Sequence, residues 1–190
     1  MADLALSCAC GSVAGVLRSA SPETGTHAQC YCSSCRAGEV YAGAPDPAPA
    51  PIGIFQTSPH LMTLSSGTKN LAVFSFGPRN LLRWHATCCG CAMFNTPRNP
   101  KISFVGIRTN RLSDLGPIGP VTGSAFKRLP NGKTKHTGLR SLLVAAVVRI
   151  LRNRVSGRWR QTPLFDAKTA QPMSDVTVVS WAKRKALLAK

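Results

Sequence analysis

The sequence predicts a mainly β fold with an α-helical C-terminal extension. Short apolar runs recur between residues 53 and 107, and glycine, proline and asparagine separate them at the spacing of antiparallel strands. Beyond residue 139 the apolar positions instead recur every three or four residues, as on an amphipathic helix. A chain of 190 residues is long enough to bury a core without disulfides. We therefore expect a β domain over residues 1–110 and a basic extension over residues 111–190 that packs on the same domain.

The predicted strands follow one another from the N-terminus. Residues 4–18 form two short runs on either side of a Cys-x-Cys-Gly turn, which predicts a hairpin, and residues 27–30 predict the next strand. Proline alternates through residues 44–51, so this segment is expected to be an exposed polyproline-like loop. The remaining candidate strands cover residues 53–57, 62–65, 71–76, 81–85, 92–96 and 102–107.

In the extension, turn signals at residues 116–120 and 130–132 precede one long predicted helix, which covers about residues 139–155. Its apolar positions follow the i, i+3, i+4 pattern, and they are Leu139, Leu142, Leu143, Ala146, Val147, Ile150 and Leu151. Gly157 is expected to end this helix. Residues 176–179 predict a strand, and residues 182–190 predict a short, basic final helix.

Charge is distributed unevenly along the chain. The net charge is +17, but residues 1–78 contain three basic and four acidic residues, whereas residues 79–190 contain 21 basic and three acidic residues. This asymmetry suits an anionic partner such as nucleic acid, a membrane surface or small carboxylates, although a basic surface also serves solubility alone. The N-terminus has no basic region with a long apolar run, and no apolar stretch is long enough for a membrane span. We therefore expect a cytoplasmic protein.

Eight cysteines fall into three clusters, and in a reducing cytosol such clusters favour metal binding over disulfides. The densest cluster is Cys30-Tyr31-Cys32-Ser33-Ser34-Cys35. Alternation along a strand places Cys30 and Cys32 on one face, and a turn through the two serines brings Cys35 to them. The other clusters are Cys8 with Cys10, and the group Cys88, Cys89 and Cys91.

These clusters predict two zinc sites. Structural zinc takes four protein ligands, whereas catalytic zinc keeps three and leaves one position open. Two of Cys88, Cys89 and Cys91 can complete a four-sulfur site with Cys8 and Cys10. The three sulfurs of Cys30, Cys32 and Cys35 then form a separate site with an open position. The alternative is a second structural site, with His27 or His85 as its fourth ligand.

Three cysteine motifs in this order resemble a known superfamily. The motifs are Cys8-Ala9-Cys10-Gly11, Cys30-Tyr31-Cys32-Ser33-Ser34-Cys35-Arg36 and Cys89-Gly90. Together they are similar to the superfamily of glutathione-dependent formaldehyde-activating enzymes and centromere protein V. The resemblance spans residue 4 to about residue 107. The segments 83–86 and 158–166 resemble a bacterial branch of that superfamily with no settled activity.

The resemblance implies a β-tent fold of antiparallel strands that holds two zinc ions. The structural ion would fall on Cys8, Cys10 and a pair from the third cluster, and the catalytic ion on Cys30, Cys32 and Cys35. The third motif of the superfamily is usually Cys-x-x-Cys-Gly, and here Ala86 stands at its first position. Either Cys88 substitutes for that cysteine, or the pair is Cys88 with Cys91.

By this resemblance we expect a carbon–sulfur lyase type enzyme, similar to S-(hydroxymethyl)glutathione synthase, that acts on thiol adducts of a small aldehyde. The open zinc position would bind the substrate thiol and lower its pKa. Arg36 would hold the carboxylates of a glutathione-like substrate, unless it is a solvated surface arginine.

Two other hypotheses come from different classes of protein. The first is a non-catalytic zinc-stabilised module that binds nucleic acid or another polyanion through its basic C-terminal part. The second is a zinc-buffering or redox-sensing protein, in which the spare cysteine of the third cluster is the reactive thiol.

Overall fold

The predicted mainly β fold with a C-terminal helix is confirmed by the computed structural model, which describes residues 1–189. Its strands are β1 (Ala2–Ser7), β2 (Ala14–Ala20), β3 (Thr26–Cys30), β4 (Ile52–Thr57), β5 (Met62–Ser66), β6 (Leu71–Ser75), β7 (Leu82–Ala86), β8 (Cys91–Thr96), β9 (Val105–Arg108), β10 (Gly123–Arg128), β11 (Thr134–Thr137) and β12 (Val176–Val178). Its α-helices are α1 (Ser33–Ala42), α2 (Leu139–Val155) and α3 (Trp181–Ala186). Lys190, the last residue of the predicted final helix, lies outside the described residues.

The strands form two sheets that share one core. The smaller sheet has the order β1-β2-β5, and the larger has the order β11-β10-β3-β4-β9-β8-β7-β6-β12. Leu6 and Leu17 from the smaller sheet pack in the same buried cluster as Phe55, Trp84 and Ile107 from the larger one. Burial of these large apolar side chains is the main force that holds the sheets together.

The strands predicted between residues 53 and 107 are found, with their ends shifted. The largest shift is at β9, which begins at Val105 rather than at residue 102. The backbone N–H of Ile102 donates to the carbonyl of Asn99 at 3.0 Å, and this closes a turn before the strand starts. Residues 44–51 contain neither helix nor strand and are mostly exposed, as their proline content predicts.

Helix α1 was not predicted from the sequence, and neither were strands β10 and β11, where only turn signals were expected. A turn was expected at Ser33 and Ser34, but a ten-residue helix begins there. Cys32 is its N-cap, and the Cys32 sulfur accepts a hydrogen bond from the backbone N–H of Cys35 at 3.3 Å. The helix ends at Gly43, whose φ of 117° is accessible to glycine but costly for other residues.

The C-terminal extension contributes strands to both ends of the larger sheet. Strand β10 pairs in parallel with β3, and β12 pairs in parallel with β6. Leu164 and Phe165 lie in the shared core, where the ring of Phe165 meets Trp84 edge to face with 6.2 Å between ring centres. Helix α2 is anchored by Asn153, whose side-chain nitrogen donates to the hydroxyl of Ser58 at 2.7 Å.

Helix α2 matches the predicted bounds, but most of its apolar residues do not face the core. Leu142 and Asn153 are buried, whereas Val144 and Leu151 are 63% and 55% exposed. Apolar side chains occur all round this helix, so only one side of it can pack on the sheet. Among residues 1–189, no helix is both long enough and apolar enough to cross a bilayer.

We expect the extension and the sheets to unfold together. Leu164→Ala removes a fully buried side chain of the extension and should lower the free energy of unfolding by about 3 kcal/mol. Val155→Ala is the matched control, because Val155 is 89% exposed and its truncation should change stability by less than about 0.5 kcal/mol. Urea unfolding followed by two optical probes measures both variants. Two separate transitions, or an unchanged midpoint for Leu164→Ala, would contradict a common core.

Candidate metal centres

The first cysteine cluster joins two turns at one edge of the core. Cys8 and Cys10 lie in the β1–β2 turn, and Cys88 and Cys89 lie in the β7–β8 turn. Their four sulfurs are all within 4.8 Å of one another. The Cys8 sulfur is 3.5 Å from that of Cys10 and 3.8 Å from that of Cys88, and Cys10 and Cys88 are 3.4 Å apart.

This donor set fits a tetrahedral metal ion. Four thiolates at about 2.3 Å from a central zinc would be about 3.8 Å from one another, close to the separations found here. A cysteine binds a metal ion as its thiolate. Hydrogen bonds lower the pKa of Cys10 to about 6, which favours its thiolate; the largest contribution comes from the Ser12 hydroxyl, 3.3 Å from the Cys10 sulfur, followed by the Ser12 backbone, Cys88 and Cys8.

Cys91 stands beside this cluster but is not one of the four mutually close sulfurs. It begins β8, is buried, and its sulfur accepts a hydrogen bond from the backbone N–H of Ala9 at 3.5 Å. Burial raises the pKa of Cys91 to about 11, so its thiol form is favoured. The structure therefore brings Cys8 and Cys10 together with the pair Cys88 and Cys89.

The second cluster lies where β3 meets α1. The sulfurs of Cys30, Cys32 and Cys35 are within 4.8 Å of one another, and those of Cys30 and Cys32 are 3.4 Å apart. In the part of the chain that the structure describes, no fourth histidine, cysteine or carboxylate joins this group. His27 instead bonds the carbonyl of Gly119 at 2.9 Å, and His85 packs beside aromatic rings.

Two buried arginines surround the second cluster, and the sequence reasoning missed both. Arg83 approaches the Cys35 sulfur at 3.9 Å and donates to the Ser34 hydroxyl at 2.9 Å. Arg108 forms an ion pair with Glu39, with 2.6 Å between Nε and Oε1. The sequence did contain a signal for them, since each arginine lies in an otherwise apolar strand, β7 or β9. A charge is rarely buried without an anionic partner, so such arginines indicate a site.

Both the arginines and the neighbouring sulfurs shift the pKa values of the cysteines in the second cluster. Hydrogen bonds from Cys30 and Cys32, and then the positive charges of Arg108 and Arg83, hold the pKa of Cys35 well below its usual value. Hydrogen bonds with Cys32 and Cys35 raise the pKa of Cys30. The cluster therefore favours a thiolate at Cys35, and three thiolates together would need a cation among them.

Arg36, the predicted carboxylate-binding residue, is already paired with a carboxylate of the protein. It forms an ion pair with Asp46, in which Nε and Oδ1 are 2.8 Å apart, and about a third of each side chain is exposed. Arg36 lines a basic groove of about 860 Å³ that passes the cysteine cluster.

Two cavities meet at the second cluster. The basic groove is lined by residues that include Tyr31, Lys127, Arg128 and Arg184. A second cavity of about 540 Å³ has all three cysteines of the cluster in its wall, opposite apolar residues of the extension. Both cavities are bordered by Cys32, Ser34, Phe126 and Arg184. A bound molecule could therefore contact the cysteines and extend in two directions.

A mainly β fold with two cysteine clusters spaced for metal ions defines the class of this protein. Residues 1–177 match the model of a family of unknown function, DUF6151, and the chain belongs to that family. A crystal structure of a protein from Rhodobacter sphaeroides is similar at 21% identity with a TM-score of 0.44, and the alignment covers 62% of this chain and 96% of that chain. No curated protein matches the chain.

The geometry predicts two metal ions per chain, which inductively coupled plasma mass spectrometry can count. Cys10→Ser should remove one ion, and the double variant Cys30→Ser/Cys32→Ser should remove the other, because each cluster loses sulfur ligands. Cys91→Ser is the control and should keep both ions. One ion or none in the wild type would contradict the two-site assignment, and loss of an ion from Cys91→Ser would show that Cys91 is a ligand.

Backbone strain at Phe126 gives a stability prediction at the same site. Phe126 has φ of 64° within a bulge of β10, a conformation that only glycine adopts easily. Phe126→Gly should therefore be more stable than Phe126→Ala by about 1 kcal/mol in urea unfolding, since both lose the ring but only glycine relieves the strain. At Phe104, where φ is not positive, the order should reverse. The same order at both positions would refute strain at Phe126.

Proposed function

We propose that this protein is a zinc-binding enzyme of the carbon–sulfur lyase type, which forms or cleaves the adduct of a thiol with an aldehyde. The proposal extends to the β-tent fold and the two zinc ions of the superfamily of glutathione-dependent formaldehyde-activating enzymes. The observation that carries it is the group Cys30, Cys32 and Cys35, a three-sulfur set in the wall of an open cavity. Three protein ligands beside a cavity are the arrangement of a catalytic rather than a structural site.

The contrast between the clusters supports this division of roles. The first cluster presents four sulfurs and would be closed around its ion, so it serves stability by joining the β1–β2 and β7–β8 turns. The second presents three sulfurs to a cavity large enough for a small molecule. Thiolate ligands select zinc over hard cations such as magnesium or calcium.

The reaction balances without an oxidant or a reductant. The sulfur lone pair of the thiol forms the new carbon–sulfur bond, the carbonyl π pair moves to oxygen, and the thiol proton ends on the new hydroxyl. Cleavage reverses each of these steps. A zinc ion held by the three cysteines would bind the substrate thiol at its open position and lower the pKa of that thiol. Arg83 lines the cavity beside Ser34, and its charge would stabilise the oxygen as it becomes negative.

The basic groove is suited to bind the carboxylates of an anionic thiol such as glutathione. Within residues 1–189, Lys127, Arg128 and Arg184 form no ion pair with a carboxylate, whereas Arg36 is paired with Asp46. The three unpaired residues, rather than Arg36, are thus the side chains available to bind substrate carboxylates.

Exchange NMR tests the proposed reaction on a mixture of glutathione and formaldehyde, which form an adduct that equilibrates slowly by itself. The zinc-loaded protein should accelerate exchange between free and adduct signals. Cys32→Ser should abolish the acceleration, because it removes a ligand of the second site, while the first site keeps its zinc and the variant stays folded. Cys91→Ser should behave like the wild type. Equal exchange rates with and without the wild-type protein would refute the proposal.

The alternative, a binding module for a polyanion, has its own supporting observation. Residues 115–165 contain ten basic residues and no acidic residue. Such a module would bind a labelled oligonucleotide with an affinity that falls steeply as salt rises, and the Cys30→Ser/Cys32→Ser variant would bind as tightly as the wild type. The enzyme proposal requires the second cluster, so this double variant separates the two.

A further inference from the structure

The two cavities that meet at Cys32 differ in chemistry. The groove past Tyr31 is bordered by the cations Lys127, Arg128 and Arg184, and the Lys127 ammonium lies 6.0 Å from the centre of the Tyr31 ring. The cavity on the other side is bordered mainly by aromatic and aliphatic side chains. A molecule whose sulfur lies at the cysteine cluster would therefore meet a charged environment on one side and an apolar environment on the other.

The apolar wall comes largely from the C-terminal extension. One side of it is formed by α2, through Leu139, Leu142, Leu143 and Ala146. Trp181 of α3 lines the same cavity. These residues lie far beyond the cysteine motifs, so the extension changes the shape and polarity of the space that faces the cluster without supplying any of its sulfurs.

Arg184 and Phe126 mark the boundary between the two environments. The Arg184 guanidinium donates to the Ser33 hydroxyl at 3.0 Å and stacks on Trp181, with 4.2 Å to the ring centre. It thereby links α3 to the start of α1. Phe126 borders both cavities, and the bulge at this residue gives it the left-handed conformation described above. Strain of this kind is often retained where a side chain has a defined role at a site.

A one-carbon aldehyde would leave most of this space empty. The cavity has a volume of about 540 Å³, which is within the range of about 300–1,000 Å³ of sites for drug-sized ligands. Contact between an apolar group and such a wall is favourable because it removes apolar surface of both from water. The cavity therefore favours an adduct with a larger apolar group on the aldehyde carbon.

We propose that the aldehyde-derived part of the substrate is an aryl or alkyl group that binds in the cavity between α2, α3 and the cysteine cluster. The inference rests on the proposed function, since it assigns the sulfur of the adduct to the second cluster and the anionic thiol part to the basic groove. It specifies the class of aldehyde, which is apolar and larger than formaldehyde.

Calorimetric titration of the zinc-loaded protein with stable thioether analogues of the adduct tests this inference. S-benzylglutathione and S-methylglutathione share the anionic part and differ only in the apolar group on sulfur. S-benzylglutathione should bind about tenfold more tightly, because only its ring can fill the cavity. Benzyl methyl sulfide, which keeps the ring and lacks the anionic part, is the third probe.

Two neighbouring residues of α2 provide a matched pair of variants. Leu143 lines the cavity and is 57% exposed, whereas Val144 is 63% exposed and does not line it. Leu143→Gln should weaken S-benzylglutathione about fivefold and leave S-methylglutathione unchanged, since only the ring contacts this wall. Val144→Gln should change neither affinity. Both side chains are largely in solvent, so both variants should fold.

The outcomes separate this inference from the proposed function. Equal affinities for the benzyl and methyl analogues would overturn the apolar aldehyde and leave the thiol reaction standing. If benzyl methyl sulfide binds as tightly as S-benzylglutathione, the cavity preference is supported, but the anionic thiol of the proposed function is refuted. Failure of all three probes to bind would overturn both.

Discussion

The hydrogen bond from the Cys35 backbone N–H to the Cys32 sulfur is the contact on which the second cluster depends. It starts α1 at Ser33, so only two residues separate the helix from the end of β3 at Cys30. A helix rises about 1.5 Å per residue, less than half the rise of a strand, so Cys35 remains close to the end of β3. The three sulfurs meet because the chain changes from strand to helix between them. The free N–H groups of the first helical turn also favour negative charge at this point.

The same junction determines where the extension meets the cluster. Strand β10 pairs with β3 in a register that places Ala125 opposite Cys30, and the Tyr31 N–H donates to the Ala125 carbonyl at 3.0 Å. Phe126 is the next residue, so the bulge of β10 lies directly beside the cysteine cluster. From there the chain leads through β11 into α2, which forms the apolar wall. A segment about 100 residues away in sequence thus shapes the cavity through one strand pairing.

Features that depend on a few neighbouring residues could be predicted from the sequence, whereas features that depend on contacts between distant segments could not. Turn residues marked most strands, and cysteine spacing identified both clusters, because these signals act within a few residues. Helix α1 was missed since cysteine is not among the usual N-cap residues. The ligand pair of the third cluster could not be chosen either. A turn at Gly90, with φ of 61°, leaves Cys88 and Cys89 near Cys8, whereas Cys91 enters β8 and the core.

The buried charge of Arg83 explains why the cysteines and the β7 strand form one unit. Arg108 is neutralised by Glu39, but no carboxylate of residues 1–189 lies within 4.0 Å of Arg83. A guanidinium keeps its proton in proteins, so it is rarely buried without an anionic neighbour. The Cys35 sulfur lies 3.9 Å from Nη1 of Arg83. A Cβ atom at Gly38 of α1 would come within 3.1 Å of the Arg83 guanidinium, so a larger residue there would require the Arg83 side chain to shift. The positive charge on β7 and the negative charge that the cluster favours at Cys35 therefore stabilise each other.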